Sequence, residues 1–415
     1  MVLINFFISY SIILYIKFVN WKFADSFVNI FSFVLTLQES LKMENKIYEQ
    51  SEKLILAQKY QKQKTFLTVV SSLFLFFYTF LFVLFFLKQD ENVFELGPFF
   101  SGVCYFAIYF VLRTFLSLPF EIKQSFKLPR KIGLSNETFF LWITNQIKSF
   151  LLVLFFGSLA SGVLLVCIQK NPDYWWLYFS ILISCIFIFI FLFGQTVIAP
   201  LFFNFEKLSD TKIENLLLNL KKKVGFKGQN HIWVMKTKKH GDYANAFVCG
   251  FGPTRKIVIT ENILEYNPEE IECIVAHELA HQFYSHNLFL CIYKIISFAV
   301  VIYFFKFLLS TELFYFYSNG LNISSANTIG IFLVFFSVLN FFISPILLRV
   351  SREIEFACDL FAFKHVTKPK NLITILKKLC VRNYCDPSPS LFSKFFFYTH
   401  PPFSERINRL ISFLN

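Results

Sequence analysis

The residues with the clearest chemistry in this 415-residue chain are His277-Glu278-Leu279-Ala280-His281. On a helix, two His at i and i+4 project from one face, so both imidazoles can reach a single ion. Asn267-Pro268-Glu269-Glu270 supplies the helix start. Asn267 can cap it, Pro268 suits the first helical position, and Glu270 completes a capping-box spacing. Glu278 is offset by about 100° per residue, which puts it beside the ion rather than on it. There it can act as a base toward a water acidified by the ion. The spacing suits Zn–N distances of about 2.0–2.1 Å, so one Zn2+ per chain is the expected cofactor.

A chance match to this pattern would stop at two imidazoles, so a third ligand must be found. A His six residues after His281, with a Gly between, would mark one class of zinc protease, but that position is Asn287. His286 comes one residue early and reads as a helix-end residue at the membrane surface. The other source is a carboxylate on a later helix. Glu353-Ile354-Glu355-Phe356-Ala357-Cys358-Asp359 places Glu355 and Asp359 on one face at i and i+4. Glu353 lies about 200° away from Glu355 around the axis. With Glu355 as ligand, Asp359 is left to orient a ligating His. Leu360, Phe361, Ala362 and Phe363 make this helix too apolar for an ordinary solvated acidic face.

The elements that must position these groups lie largely in lipid. The chain is 55% hydrophobic and 16% charged, where a soluble domain carries about 25% charged residues. A helix needs about 20 apolar residues to cross about 30 Å of hydrocarbon. Residues 66–87, 99–118, 149–168, 175–199, 287–309 and 327–348 qualify. Residues 2–19 make a shorter first span, read as an anchor rather than a cleaved signal peptide, and 24–37 could extend or replace it. Of the loops between seven spans, the first, third and fifth are rich in Lys and Arg. The second and fourth have one Lys each, and the sixth none. Basic loops mark the cytoplasmic side, so the long fifth loop and the tail after Arg349 are expected together in the cytoplasm. The two halves of the metal site fall in those two segments.

The net charge of +13 belongs to these loops. No basic cluster alternates with exposed aromatics, so no nucleic-acid partner is expected. Nine Cys form no CxxC pair, and several sit in apolar runs. No internal repeat supports a transporter carrying an incidental HExxH. His231 to Met235, Ala246 to Gly250 and Lys256 to Thr260 alternate as short strands, with Gly252-Pro253-Thr254 as a turn. They predict a small antiparallel sheet leading into the metal helix, whose edge could pair with an extended peptide.

These motifs in order resemble the CAAX prenyl protease 1 family of multi-pass membrane zinc metalloendopeptidases. The likeness is carried by HELAH, by Glu355 to Asp359 beyond an intervening span, and by Thr399-His400-Pro401-Pro402-Phe403-Ser404-Glu405-Arg406. Asn245 to Gly252, Pro200-Leu201-Phe202 and Leu118 through Ser149 extend it over nearly the whole chain. The resemblance implies a mostly α membrane protein, about seven transmembrane helices around an intramembrane chamber, with a cytoplasmic zinc-protease domain. It implies His277, His281 and Glu355 as ligands and Glu278 as catalytic base and acid. His400 and Arg406 fall near the reacting carbonyl, where a cationic donor would stabilise an oxyanion. Asn245 and Ala246 fall on the substrate edge. The implied reaction removes the last three residues from proteins prenylated at a C-terminal CaaX Cys. A quality-control protease for misfolded or unprenylated substrates is the alternative. The membrane would be that of the endoplasmic reticulum or a bacterial plasma membrane.

Two departures stand out. Cys358 replaces the family's usual Ala, and the acids the family carries near Leu128 to Lys131 and near Asn145 are absent. The expected organisation is 1–199 as the N-terminal membrane region, 200–286 as the HExxH segment, 287–348 as two further spans, and 349–415 as the segment with the third ligand.

Overall fold

The computed structural model of the chain describes residues 52–87, 96–250, 252–312 and 325–413. Four membrane-length helices come first: α1 (Glu52–Leu87), α2 (Pro98–Lys131), α3 (Phe139–Lys170) and α4 (Trp175–Phe193). The chain then forms β1 (Phe205–Lys207), α5 (Thr211–Lys223), β2 (Ile232–Met235), β3 (Ala246–Cys249), β4 (Lys256–Thr260) and α6 (Pro268–Phe283). Two more membrane-length helices follow, α7 (His286–Leu309) and α8 (Asn327–His365). Helices α9 (Lys370–Arg382), α10 (Leu391–Phe397) and α11 (Phe403–Ile411) complete the chain. Six of the seven expected spans are thus present; 2–19 and 24–37 lie outside the described residues.

Several helices overrun their apolar stretches. α1 starts at Glu52 and α8 continues to His365, because helical hydrogen bonding does not end where the hydrocarbon does. The spans turn most of their side-chain surface away from other protein atoms, as lipid-facing surface must. Where they do pack, small residues let backbones meet. A Cβ at Gly102 on α2 would lie 2.5 Å from the Ser161 carbonyl oxygen of α3, and one at Gly162 would lie 2.8 Å from that of Phe99. Phe82, Tyr105, Leu165, Trp175 and Phe305 join five helices in one apolar cluster.

The sheet differs from the expected antiparallel one. Its order is β1-β2-β4-β3, and β2 runs parallel to β4, with Trp233 opposite Val258. The β3–β4 hairpin is antiparallel as read, with Phe247 opposite Val258, and β1 adds antiparallel to β2. The long connection from Met235 to Ala246 carries the chain past the position next to β2, so β4 enters between β2 and β3. Parallel pairing needs such a connection, whereas a tight turn would force an antiparallel pair. β1, Phe-Glu-Lys, is too short and polar to show a strand pattern.

Ile232, Ile257 and Ile259 from the sheet, Leu217 from α5, and Ile271, Val275 and Leu279 from α6 form a second core. Phe361 and Ala362 from the end of α8, Ile375 from α9 and Ile407 from α11 belong to the same core. The fifth loop and the tail are therefore one folded unit, which requires them to share a side of the bilayer.

Candidate active site

Helix α6 is the site's fixed floor. The Asn267 N–H donates to Glu270 Oε2 at 3.3 Å, and Lys378 of α9 holds the same carboxylate at 2.6 and 2.9 Å. Nearly every residue from Glu270 to Ala280 is buried. Helix α8 is the opposing wall, and its uninterrupted run past the bilayer brings Glu355 and Asp359 onto the His pair.

Glu355 Oε2 lies 3.1 Å from His277 Nε2, and Oε1 lies 3.4 Å from His281 Nε2. Asp359 Oδ1 lies 2.9 Å from His277 Nδ1. Arg406, buried on α11, donates to Asp359 twice, from Nε at 2.8 Å and Nη2 at 2.6 Å. His400, largely exposed, places Nδ1 2.8 Å from Glu355 Oε2. Glu278 lines an adjoining cavity of about 360 Å³, together with Asn245, His277, Glu355, His400 and Arg406. Glu353 stands apart, mostly exposed, 3.9 Å from Arg409. The spacing argument separated these two carboxylates in the same way.

Charge at the site is strongly shaped. Burial opposes a proton on His277, but Asp359 and Glu355 outweigh it and push its pKa up to about 10. Burial pushes the Glu278 carboxyl up, with the neighbouring His277 and His281 pulling it down. Burial also opposes the Arg406 charge, yet the Asp359 carboxylate holds the guanidinium protonated well above its ordinary range.

The residues fit a metal. With Nδ1–H given to Asp359, His277 aims Nε2 at Glu355 Oε2, itself an acceptor, so without an ion this contact needs a second proton on the ring, and a divalent cation can take that proton's place. Two acceptors 3.1 Å apart repel unless positive charge lies between them. The same conflict recurs at His281. Two imidazole nitrogens and a carboxylate are a common donor set for a catalytic divalent cation.

The structure adds one donor that the sequence reading noted only as a replacement of the family's usual Ala. Cys358, fully buried, has Sγ 3.5 Å from His286 Nδ1 and donor atoms of His277 and His281 within 4.8 Å. Cys358 follows Glu355 by three residues, so helical spacing alone would have found it. Glu355 is still the better third donor, because its two oxygens each face one imidazole nitrogen.

The β3 edge is more occupied than the hairpin pattern implied. Ala246 is buried, and its N–H donates to the Asn245 Oδ1 at 2.9 Å. Val248's carbonyl accepts from Gln282 Nε2 at 3.3 Å. Asn383 at the end of α9 pairs with Ala244 and was not found from sequence. Its partner is 139 residues distant, and no local pattern marks it.

A membrane-helix bundle that carries an HExxH helix against a small sheet, with a remote carboxylate closing on the His pair, defines a multi-pass membrane metallopeptidase. Comparison with known proteins agrees. Residues 207–413 match the model of peptidase family M48, and residues 36–204 match that of the CAAX prenyl protease N-terminal region, described as five membrane helices. CAAX prenyl protease 1 of Saccharomyces cerevisiae is 26% identical over 75% of this chain and 72% of its own length. The Homo sapiens homolog is 26% identical over 73% of each chain. An uncharacterized metalloprotease, YhfN of Bacillus subtilis, is 24% identical over 72% of this chain and 70% of its own length. The crystal structure of S. mikatae Ste24p shares the fold, with a TM-score of 0.70 at 21% identity over 87% of this chain and 89% of that one. The chain belongs to the CAAX prenyl protease 1 family of M48 peptidases, and the transporter reading falls with that finding.

Proposed function

We propose that this membrane metallopeptidase uses zinc and removes the C-terminal tripeptide of proteins prenylated at a CaaX Cys. The observation that carries the chemistry is the convergence of His277, His281 and Glu355 beside a cavity with Glu278 on its wall. The substrate class is carried by the names of the relatives. The organisation into 1–199, 200–286, 287–348 and 349–415 belongs to the same reading, with the catalytic segments and the tail in the cytoplasm.

His277, His281 and Glu355 would hold the zinc, which supplies a Lewis acid that acidifies water and polarises the scissile carbonyl. Glu278 takes the water's proton and delivers it to the leaving amine. Burial suits it to this work, since a raised carboxyl pKa brings proton uptake closer to neutral pH. His400, reaching from the α10–α11 loop, donates to the oxyanion. Arg406 was expected to share that task. Its two bonds to Asp359 favour a positioning role instead, fixing the carboxylate that sets the His277 tautomer. Asn245 and Ala246 offer the substrate an edge beside the cavity.

The test is cleavage of one peptide in farnesylated and unmodified forms by the full chain in lipid nanodiscs, with chelator and with zinc restored. The expected result is zinc-dependent release of a tripeptide, faster from the farnesylated form. Equal rates on both forms would transfer the enzyme to unmodified substrates, the quality-control reading. No zinc-dependent cleavage of either form would overturn the proposal.

A further inference from the structure

Along an antiparallel edge, successive residues alternate between facing the partner strand and facing outward. Asn245 faces β4: its N–H donates to Thr260 Oγ1 at 3.0 Å, and its carbonyl accepts from the Thr260 N–H at 2.9 Å. Ala244 and Ala246 therefore face outward, toward the place an added strand would occupy. At Ala244 that place is taken. Its N–H donates to Asn383 Oδ1 at 3.1 Å, and its carbonyl accepts from Asn383 Nδ2 at 3.2 Å. A carboxamide that satisfies both groups of one residue copies what a peptide strand would do.

The placement of Asn383 is held from several directions. Arg382, the residue before it, donates to the Asp242 carbonyl at 3.1 Å and pairs with Glu265 at 2.9 Å. The end of α9 thus lies along residues 242 to 244 where a further strand would run. Tyr384, the residue after it, sits in the left-handed region at φ 48°, a costly conformation for a bulky side chain. Its carbonyl is held by Gln61 Nε2 at 2.8 Å, which ties the turn to α1. Asn383, Ala244 and Asn245 all line the active-site cavity, and so do Leu376 and Leu379 of α9.

We propose that Asn383 determines the length of peptide accepted on one side of the scissile bond, because its carboxamide occupies the substrate edge at Ala244. A substrate strand that pairs at Ala246 takes the place of the Asn245 carboxamide at its N–H, and must displace Asn383 as well to reach Ala244. Such a closed end favours a short leaving segment over a long one. This inference rests on the proposed reading of β3 as the substrate edge and of the chain as a C-terminal processing enzyme.

The experiment uses the zinc-loaded full chain in nanodiscs and prenylated peptides with three, four or six residues after the modified Cys. The readout is the ratio of kcat/KM for the six-residue to the three-residue peptide. Wild type should favour the three-residue peptide. Asn383→Ala should raise the ratio at least about fivefold, the equivalent of one hydrogen bond of ~1 kcal/mol no longer displaced. Asn383→Asp keeps the acceptor for the Ala244 N–H and should raise it less. If both folded variants keep the wild-type ratio, Asn383 is only a clamp and the inference is wrong. Should Asn383→Ala fail to fold, the ratio of Asn383→Asp decides alone, a raised ratio supporting the inference and an unchanged one overturning it. A wild type indifferent to length refutes the length limit and leaves the prenyl reading intact. One that cuts no prenylated peptide brings down the substrate reading, and this inference with it.

Discussion

Replacing Arg406 by Met perturbs the metal cradle while leaving every proposed ligand in place. Arg406 contributes two short donors, at 2.8 and 2.6 Å, to an Asp359 that is 2% exposed. Met fills similar volume and leaves the carboxylate with His277 as its remaining partner at 2.9 Å. An uncompensated charge at such a site costs about 3–5 kcal/mol of stability. The freed carboxylate also holds His277 less firmly, so zinc affinity should fall about 10- to 100-fold. Arg406→Lys keeps the charge without the two-point geometry and should lose less of both. Adding Asp359→Asn to Arg406→Met removes the stranded charge. The double variant should regain stability but not zinc affinity, a separation that additive effects would not produce. Denaturant unfolding and zinc titration against a competing chelator, both in nanodiscs, measure the two quantities. The reasoning fails if Arg406→Met is as stable as wild type and binds zinc as tightly.

Glu278→Gln should keep zinc and lose at least about 100-fold in kcat, since a proton-transfer group is removed without touching a ligand; a purified variant with wild-type turnover would exclude that role. Glu355→Ala should lose the metal and Glu353→Ala should not, because only Glu355 faces the imidazoles; metal analysis of the two proteins decides. Gly102→Val should destabilise the bundle by about 1–3 kcal/mol, since its Cβ would lie 2.5 Å from the Ser161 carbonyl oxygen; unchanged unfolding would contradict the close α2–α3 contact. Burial raises the Asp386 carboxyl above its ordinary 3.8, with the Ser388 N–H opposing. A raised folded pKa means the fold disfavours the ionised form, so the penalty is absent below 3.8 and grows as pH rises through the folded value. Asp386→Asn should therefore gain more stability over wild type at pH 7 than at pH 4, and an equal effect at both would contradict the burial argument.

Much of this molecule was written locally. The six spans among the described residues follow from uninterrupted apolar runs, because lipid offers no partner for an open backbone. The His277–His281 face and the turn of Glu355 away from Glu353 follow from 3.6 residues per turn. The β3–β4 hairpin followed from alternation about a Gly-Pro turn. Other features depended on segments distant in the chain. The parallel β2–β4 pair arose from where a ten-residue connection travels, which composition does not encode. Arg406 met Asp359, 47 residues away, only when α11 packed against α8. Cys358 gained a place among metal donors only when α6 and α8 met, and Asn383 gained Ala244 only when α9 closed the end of the sheet. Helical and strand periodicity act within a few residues and are legible in the chain. Which lone pair meets which donor depends on packing between remote elements, and only the folded structure decides it.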